Sequence, residues 1–228
     1  SQSVSGSIGY SPEAGDFYLE YLSNRVGFGG VVIQPFVDGN GNGMQDPGEE
    51  SITKATIRTR SVSGAQYLRY SPDFGFTLRH TLPYEEYVMS IDQRSLDNPL
   101  WVPRYTNFAV ISEPNQFRQV QLPVIVGGVI RGKVEASVEG KTIPAEGIGI
   151  TIQSQDTAGV IPFKASATTY STGEFEFIAI PPGTYIVSMN ERLISDLGYK
   201  TTQVSRVIEV QVKPEGDEVN DVNFFLIK

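Results

Sequence analysis

Asp38-Gly39-Asn40-Gly41-Asn42-Gly43-Met44-Gln45-Asp46-Pro47-Gly48-Glu49 takes its meaning from what stands on either side of it. Oxygen-bearing side chains fall at its positions 1, 3, 5, 9 and 12, which are Asp38, Asn40, Asn42, Asp46 and Glu49. Gly43 holds position 6, where a twelve-residue calcium loop turns sharply, and Met44 at position 7 offers a backbone carbonyl. Three acids and two amides suit a hard cation that takes about six to eight oxygens. In an EF-hand, helices flank such a loop. Here Val31, Val32, Ile33, Phe36 and Val37 precede it, and Ile52, Ala55, Ile57 and Thr59 follow. Those residues favour strands over amphipathic helices. The stretch therefore reads as a calcium loop joining two β-strands. The plainer reading is a Gly/Asn-rich turn that binds nothing, because Asn-Gly occurs twice and is a hairpin signal by itself. The full ligand spacing with Gly43 at the turn favours the metal.

Beyond the loop the chain repeats itself at a period of about 100 residues. Gly29-Gly30-Val31-Val32 opens one unit and Gly127-Gly128-Val129-Ile130 the next. Asp73-Phe74-Gly75-Phe76-Thr77-Leu78 answers to Ser171-Thr172-Gly173-Glu174-Phe175-Glu176-Phe177, and Leu82-Pro83-Tyr84 through Ser90 to Ile180-Pro181-Pro182 through Met189. Phe117 to Val124 closes the first unit and Val219 to Leu226 the second. Within each unit the apolar runs are short and alternate, as in Ile148-Gly149-Ile150-Thr151-Ile152 and Val207 to Val212. Period-two runs between turn signals are half-buried strands, and about seven of them per unit indicate a β-sandwich. Ala145 to Gly147 and Arg192 to Leu197 offer a single helical turn each at most. The expected organisation is residues 1–28 as a hairpin or the remnant of an upstream domain, 29–124 as a sandwich with the calcium loop, and 125–228 as a second sandwich. In the first segment Val4, Ile8 and Tyr10 read as one strand, Ser11 to Gly15 as a turn, and Phe17, Tyr18, Leu19, Tyr21 and Leu22 as the return. A lone hairpin is marginal in water, so this one needs something to pack on.

Composition narrows the function. The chain has no cysteine, which removes thiol nucleophiles, Cys-zinc sites and disulfides. Its net charge of −8 argues against nucleic acid as a partner. No run is long and apolar enough to span a bilayer as a helix, and no signal peptide opens the chain, which fits a mature form or an excised fragment. The single histidine, His80, ends the Phe76 to Arg79 strand with no nucleophile motif near it, so an edge-strand residue is the better reading than a catalytic one. No phosphate-binding glycine loop is present. Trp101, Tyr84 and Tyr105 could form a sugar-stacking surface, although Trp101 lies in the apolar run Asn98 to Pro103, which reads as a loop closing one end of a sandwich.

The run Phe36 to Glu49 resembles the opening of the B repeats of staphylococcal serine-aspartate-repeat adhesins. Gly173 to Phe177, followed by Ile180-Pro181-Pro182-Gly183-Thr184-Tyr185, is similar to the same group and to carboxypeptidase regulatory-like and collagen-binding B-type modules. The resemblance covers about residues 29–228, and the loop is its most specific part. It implies transthyretin-like (prealbumin-like) antiparallel β-sandwiches that act without catalysis as stalks, spacers or binding platforms at a bacterial surface. Their partner would be a protein or glycan there, and calcium would stiffen the fold. The ligands it implies are Asp38, Asn40, Asn42, Asp46, Glu49 and the Met44 carbonyl, with Glu50 able to assist Glu49. Glu135 to Pro144 in the second unit lacks the Asp/Asn spacing. Similar tandem units follow β-barrels in outer-membrane proteins, so the opening hairpin reads as the end of such an element. Some B-type modules join a first-strand Lys to a last-strand Asn under a buried Glu. Lys133 and Asn223 are suitably placed, but Met189 and Ile91 stand where the Glu belongs, and Glu176 reads as solvent-facing. That cross-link is not expected. A carbohydrate-binding module of a polysaccharide-degrading system is the alternative from another class.

Overall fold

The computed structural model describes residues 7–11, 16–20, 27–61, 64–72, 75–155 and 163–228. The expectations on Val4, the turn residues 12–15, Tyr21, Leu22, Asp73 and Phe74 lie outside these. β1 (Ser7–Ser11) and β2 (Asp16–Glu20) pair antiparallel as a two-stranded hairpin. Next come β3 (Gly29–Val37), β4 (Thr56–Ser61), β5 (Gly64–Tyr67), β6 (Arg69–Ser71), β7 (Gly75–Thr81) and β8 (Glu86–Asp92). β9 (Trp101–Pro103), β10 (Asn107–Ile111) and β11 (Phe117–Val126) follow. These strands build one sheet ordered β10-β8-β4-β5 and another ordered β6-β7-β3-β11-β9.

The remaining strands are β12 (Gly128–Val138), β13 (Lys141–Pro144), β14 (Gly149–Ser154), β15 (Lys164–Thr168) and β16 (Glu174–Ile180). They end with β17 (Gly183–Met189), β18 (Ser205–Val210), β19 (Glu218–Val219) and β20 (Phe224–Ile227). One sheet is ordered β15-β14-β17-β18. In the other, β16 and then β13 lie along one edge of β12, with β19 and β20 along its opposite edge. The fold is all-β, two sandwiches after a hairpin. By contact the chain divides into two compact units. One is Ser1–Asp38, Asn42–Asn98 and Pro103–Val124; the other is Gly39–Gly41, Pro99–Val102 and Ile125–Lys228.

Alternation along the strands produces the cores. β8 buries Tyr87, Met89 and Ile91 between exposed Glu86 and Val88, and β16 buries Phe175, Phe177 and Ile180. The second core gathers Ile130, Val134, Ile150, Ile152, Phe175, Tyr185, Val187 and Phe224. Burial pushes the Tyr185 hydroxyl up to about 12, and it donates to the Pro181 carbonyl at 2.6 Å. Tyr87, its counterpart in the repeat, accepts the Leu82 N–H at 2.8 Å.

The repeat extends to irregular backbone. His80 has φ 59° and Ala179 φ 59°, each at a bulge where β7 or β16 meets its glycine-led partner. Histidine tolerates this left-handed conformation better than most side chains. His80 is thus a bulge residue with a backbone role, half-buried rather than displayed. Mostly antiparallel pairing is interrupted once per sandwich, because β11 runs parallel to β3, and β19 and β20 run parallel to β12. Two local expectations need correction. Residues 101–103 form strand β9 rather than a loop. Glu191–Asp196 forms a helix, α1, longer than one turn, because the Asn190 side chain caps it by accepting the Leu193 N–H at 3.1 Å and Ile194 is buried.

Candidate metal centre

β3 delivers Asp38 to the start of the loop with its carboxyl almost wholly buried, at 1% exposure. The Asp38 N–H donates to the Val124 carbonyl at 2.9 Å, which ties the loop entrance to β11. Its two carboxylate oxygens accept the Asn42 N–H at 3.1 Å and the Gly43 N–H at 2.8 Å. A buried carboxylate without such donors would be costly. Gly41, Gly43 and Gly48 have φ of 76°, 81° and 99°, so the path is one that glycine adopts without strain. The exit is closed by the Val37 N–H on the Glu50 carbonyl at 2.8 Å and the Ile52 N–H on the Pro35 carbonyl at 2.8 Å.

Inside this frame the other acids and amides meet. Asn42 Nδ2 donates to Asp46 Oδ2 at 2.7 Å, and the Met44 N–H donates to Asn42 Oδ1 at 2.7 Å. The Asp46 N–H donates to Glu49 Oε2 at 2.9 Å. Asp38, Asn42, Asp46 and Glu49 thus share one hydrogen-bonded loop. Asn40 and Met44 lie on its exposed side, and Glu50, also exposed, contributes its carbonyl to the closure. Among the described residues no three carboxylates or imidazoles converge tightly enough to hold a metal by themselves. Any cation here would depend on the amide oxygens and the Met44 carbonyl as well as the acids, which is how oxygen-rich calcium sites are built. Residue types and turn geometry fit that ion. Sequence reasoning missed Arg104. A Cβ added to Gly43 would stand 2.9 Å from Arg104 Nη1, so the Arg104 guanidinium lies against the loop. No local pattern ties Arg104 to the loop, because only the fold brings them together.

The second unit closes the same position differently. The Ala145 N–H donates to the Val134 carbonyl at 2.9 Å, the counterpart of Ile52 on Pro35. Between them β12 and β13 make a hairpin with Val138 opposite Lys141. Glu139 and Gly140, at φ 51° and 78°, form its tight turn of the type that needs two positive φ angles. Lys133 and Asn223 do meet, through the Lys133 N–H on Asn223 Oδ1 at 2.9 Å. The Lys133 amine, however, pairs with Glu135 at 2.9 Å, which holds it above its ordinary range and keeps it charged. Glu176 pairs with Arg131 at 2.7 Å, while Met189 and Ile91 are buried. Of the three aromatics named for sugar stacking, Tyr84 (78% exposed) and Tyr105 (53%) face solvent and Trp101 is half-buried.

No family model matches the chain, and no curated protein matches it. Among solved structures it is similar to the minor pilin GBS52 of Streptococcus agalactiae, at 12% identity and TM-score 0.47, covering 88% of this chain and 96% of that one. A streptococcal ancillary pilin gives 10% identity and TM-score 0.42, covering 90% of this chain but only 64% of its own length. The shaft pilin SpaA of Lactobacillus rhamnosus GG gives 9% identity and TM-score 0.34, covering 88% and 97%. Overlaps this loose do not transfer a function.

Proposed function

We propose that the chain is a non-enzymatic structural or adhesive pair of sandwiches from a secreted or surface-attached bacterial protein, stiffened by calcium in the loop of the first. The carrying observation is Asp38, a buried carboxylate seated by two loop N–H groups at the head of the ligand spacing. Asp38, Asn40, Asn42, Asp46, Glu49 and the Met44 carbonyl would hold the ion, which would supply positive charge to a loop rich in carboxylates and little else. Strands flank the loop, so binding has no helices to swing apart and no groove to open. Its effect is to stabilise the folded loop by RT ln(1 + [Ca]/Kd). The tight β12–β13 turn reaches the same closure with two residues and lacks the Asp/Asn spacing, so this reading puts calcium in the first unit only. Attachment to an upstream outer-membrane domain through the hairpin is part of the same reading.

Isothermal titration of the intact chain tests this. The expected result is one calcium per chain with Kd of about 0.1–1 mM, the range of extracellular modules. Asp38→Ala should abolish it, and magnesium should not compete at equal concentration. An absence of saturable heat with a folded chain would defeat the calcium claim.

A further inference from the structure

The second sandwich carries an open concavity with a volume of about 500 Å³. Its floor is the outward face of β12 and β16, where Arg131 pairs with Glu176 at 2.7 Å and Lys133 lies beside them. One wall is the turn before β16. There Tyr170 is 63% exposed, the Gly173 N–H donates to the Tyr170 carbonyl at 2.8 Å, and Thr172 fixes Glu174 at 3.0 Å. The opposite wall is the segment between β19 and β20, which presents Asn220, Asp221 and Asn223.

That second wall is built rather than incidental. Asp221 has φ 61°, a left-handed conformation that aspartate adopts more readily than most side chains. It is held there by Arg206, whose Nη1 donates to the Asp221 carbonyl at 2.8 Å, and by the Val222 N–H on the Arg131 carbonyl at 3.2 Å. Asn220 and Asp221 stand on this rim, Asn223 is anchored there by accepting the Lys133 N–H at 2.9 Å, and the exposed Tyr170 ring belongs to the same lining.

We propose that this groove binds a neutral glycan chain, independently of calcium in the first unit. The lining carries two cations against three carboxylates; Arg131 pairs with Glu176 inside it, and Lys133 pairs with Glu135 just outside it. A polyanion would meet net negative charge, and a hydrocarbon would bury ion pairs without replacing their partners. A neutral sugar meets neither difficulty. Its hydroxyls can donate to Glu174 and Asp221 and accept from Asn220 and Lys133, and the apolar face of a pyranose can lie on the Tyr170 ring. An open trough on a sheet face admits a chain rather than a single enclosed molecule.

The test is retardation of the intact chain in native gels cast with barley β-glucan, galactomannan or soluble starch, with heparin as the polyanionic comparison. At least one neutral polymer should retard it. Tyr170→Ala should weaken that retardation about tenfold, as expected for an aromatic anchor, while Tyr84→Ala and added chelator leave it unchanged. Circular dichroism and melting of Tyr170→Ala should match the parent, since this ring is exposed. No retardation by any neutral polymer, retardation by heparin alone, or equal retardation of parent and Tyr170→Ala would overturn the proposal. Because the chelator arm is separate, loss of the calcium reading would leave this result standing.

Discussion

Thr59 is the one residue of β4 whose chemistry contradicts its place. It is buried at 3% exposure, and its Oγ1 has no hydrogen-bond partner among the described residues. In the second sandwich the matching position, judged by its pairing on β17, is Ile152. A buried hydroxyl without a partner costs about 1–3 kcal/mol. Thr59→Val should therefore stabilise the first unit by about 1 kcal/mol, read as a higher denaturant midpoint at unchanged slope. Asp217 is the reverse case, a buried acid with every reason to stay charged. Burial by itself raises its pKa, but the Gln211 N–H at 2.8 Å and the Lys213 ammonium more than offset this, so the carboxyl titrates below its ordinary range. A lowered pKa in the folded state means that its stabilisation is present at neutral pH and is lost as pH falls through the folded value. Asp217→Asn should cost about 1–3 kcal/mol at pH 7, and the gap from the parent should narrow in acid. A gap that stays constant from neutral pH down through the carboxylate range would contradict this account of Asp217. Gly43→Ala is expected to damage the loop directly, since φ is 81°, a conformation that strains any side chain with a Cβ, while the Arg104 guanidinium can shift away from the new methyl.

Single elements show where sequence was sufficient and where it was not. Alternation in β8, β14, β16 and β17 is strong enough that their buried faces follow from residue type alone. Asp38 to Glu49 was legible as a loop because its spacing is local, and the hydrogen bonds among Asp38, Asn42, Asp46 and Glu49 run within it. Parallel pairing of β11 on β3 was not legible, since it joins distant segments with no turn to mark it. Nor were the bulges at His80 and Ala179, which neither residue announces. Trp101 to Pro103 looked like a loop because two prolines bracket it, yet it lies at the edge of its sheet, where a missing N–H is tolerated. Replacing residues 38–49 by a Glu-Gly turn like that of β12–β13 should keep the strands intact by circular dichroism and remove every response to calcium. A persisting response would place the ion elsewhere.

At the scale of the whole chain, one topology has been used twice and closed in two ways. Both sandwiches pair a glycine-led first strand with a parallel last strand and carry the same bulge. Only the first replaces a two-residue turn with a carboxylate-rich loop. Stability of the first unit should therefore depend on an extracellular cation while the second stays indifferent. Thermal unfolding of the chain in about 2 mM calcium, a level typical of the space outside cells, against excess chelator addresses this most directly. The account predicts that calcium raises the midpoint of a single transition, by several degrees for each kcal/mol of binding free energy, and that Asp38→Ala removes the shift. Identical traces in calcium and chelator, or an equal shift in Asp38→Ala, would contradict it.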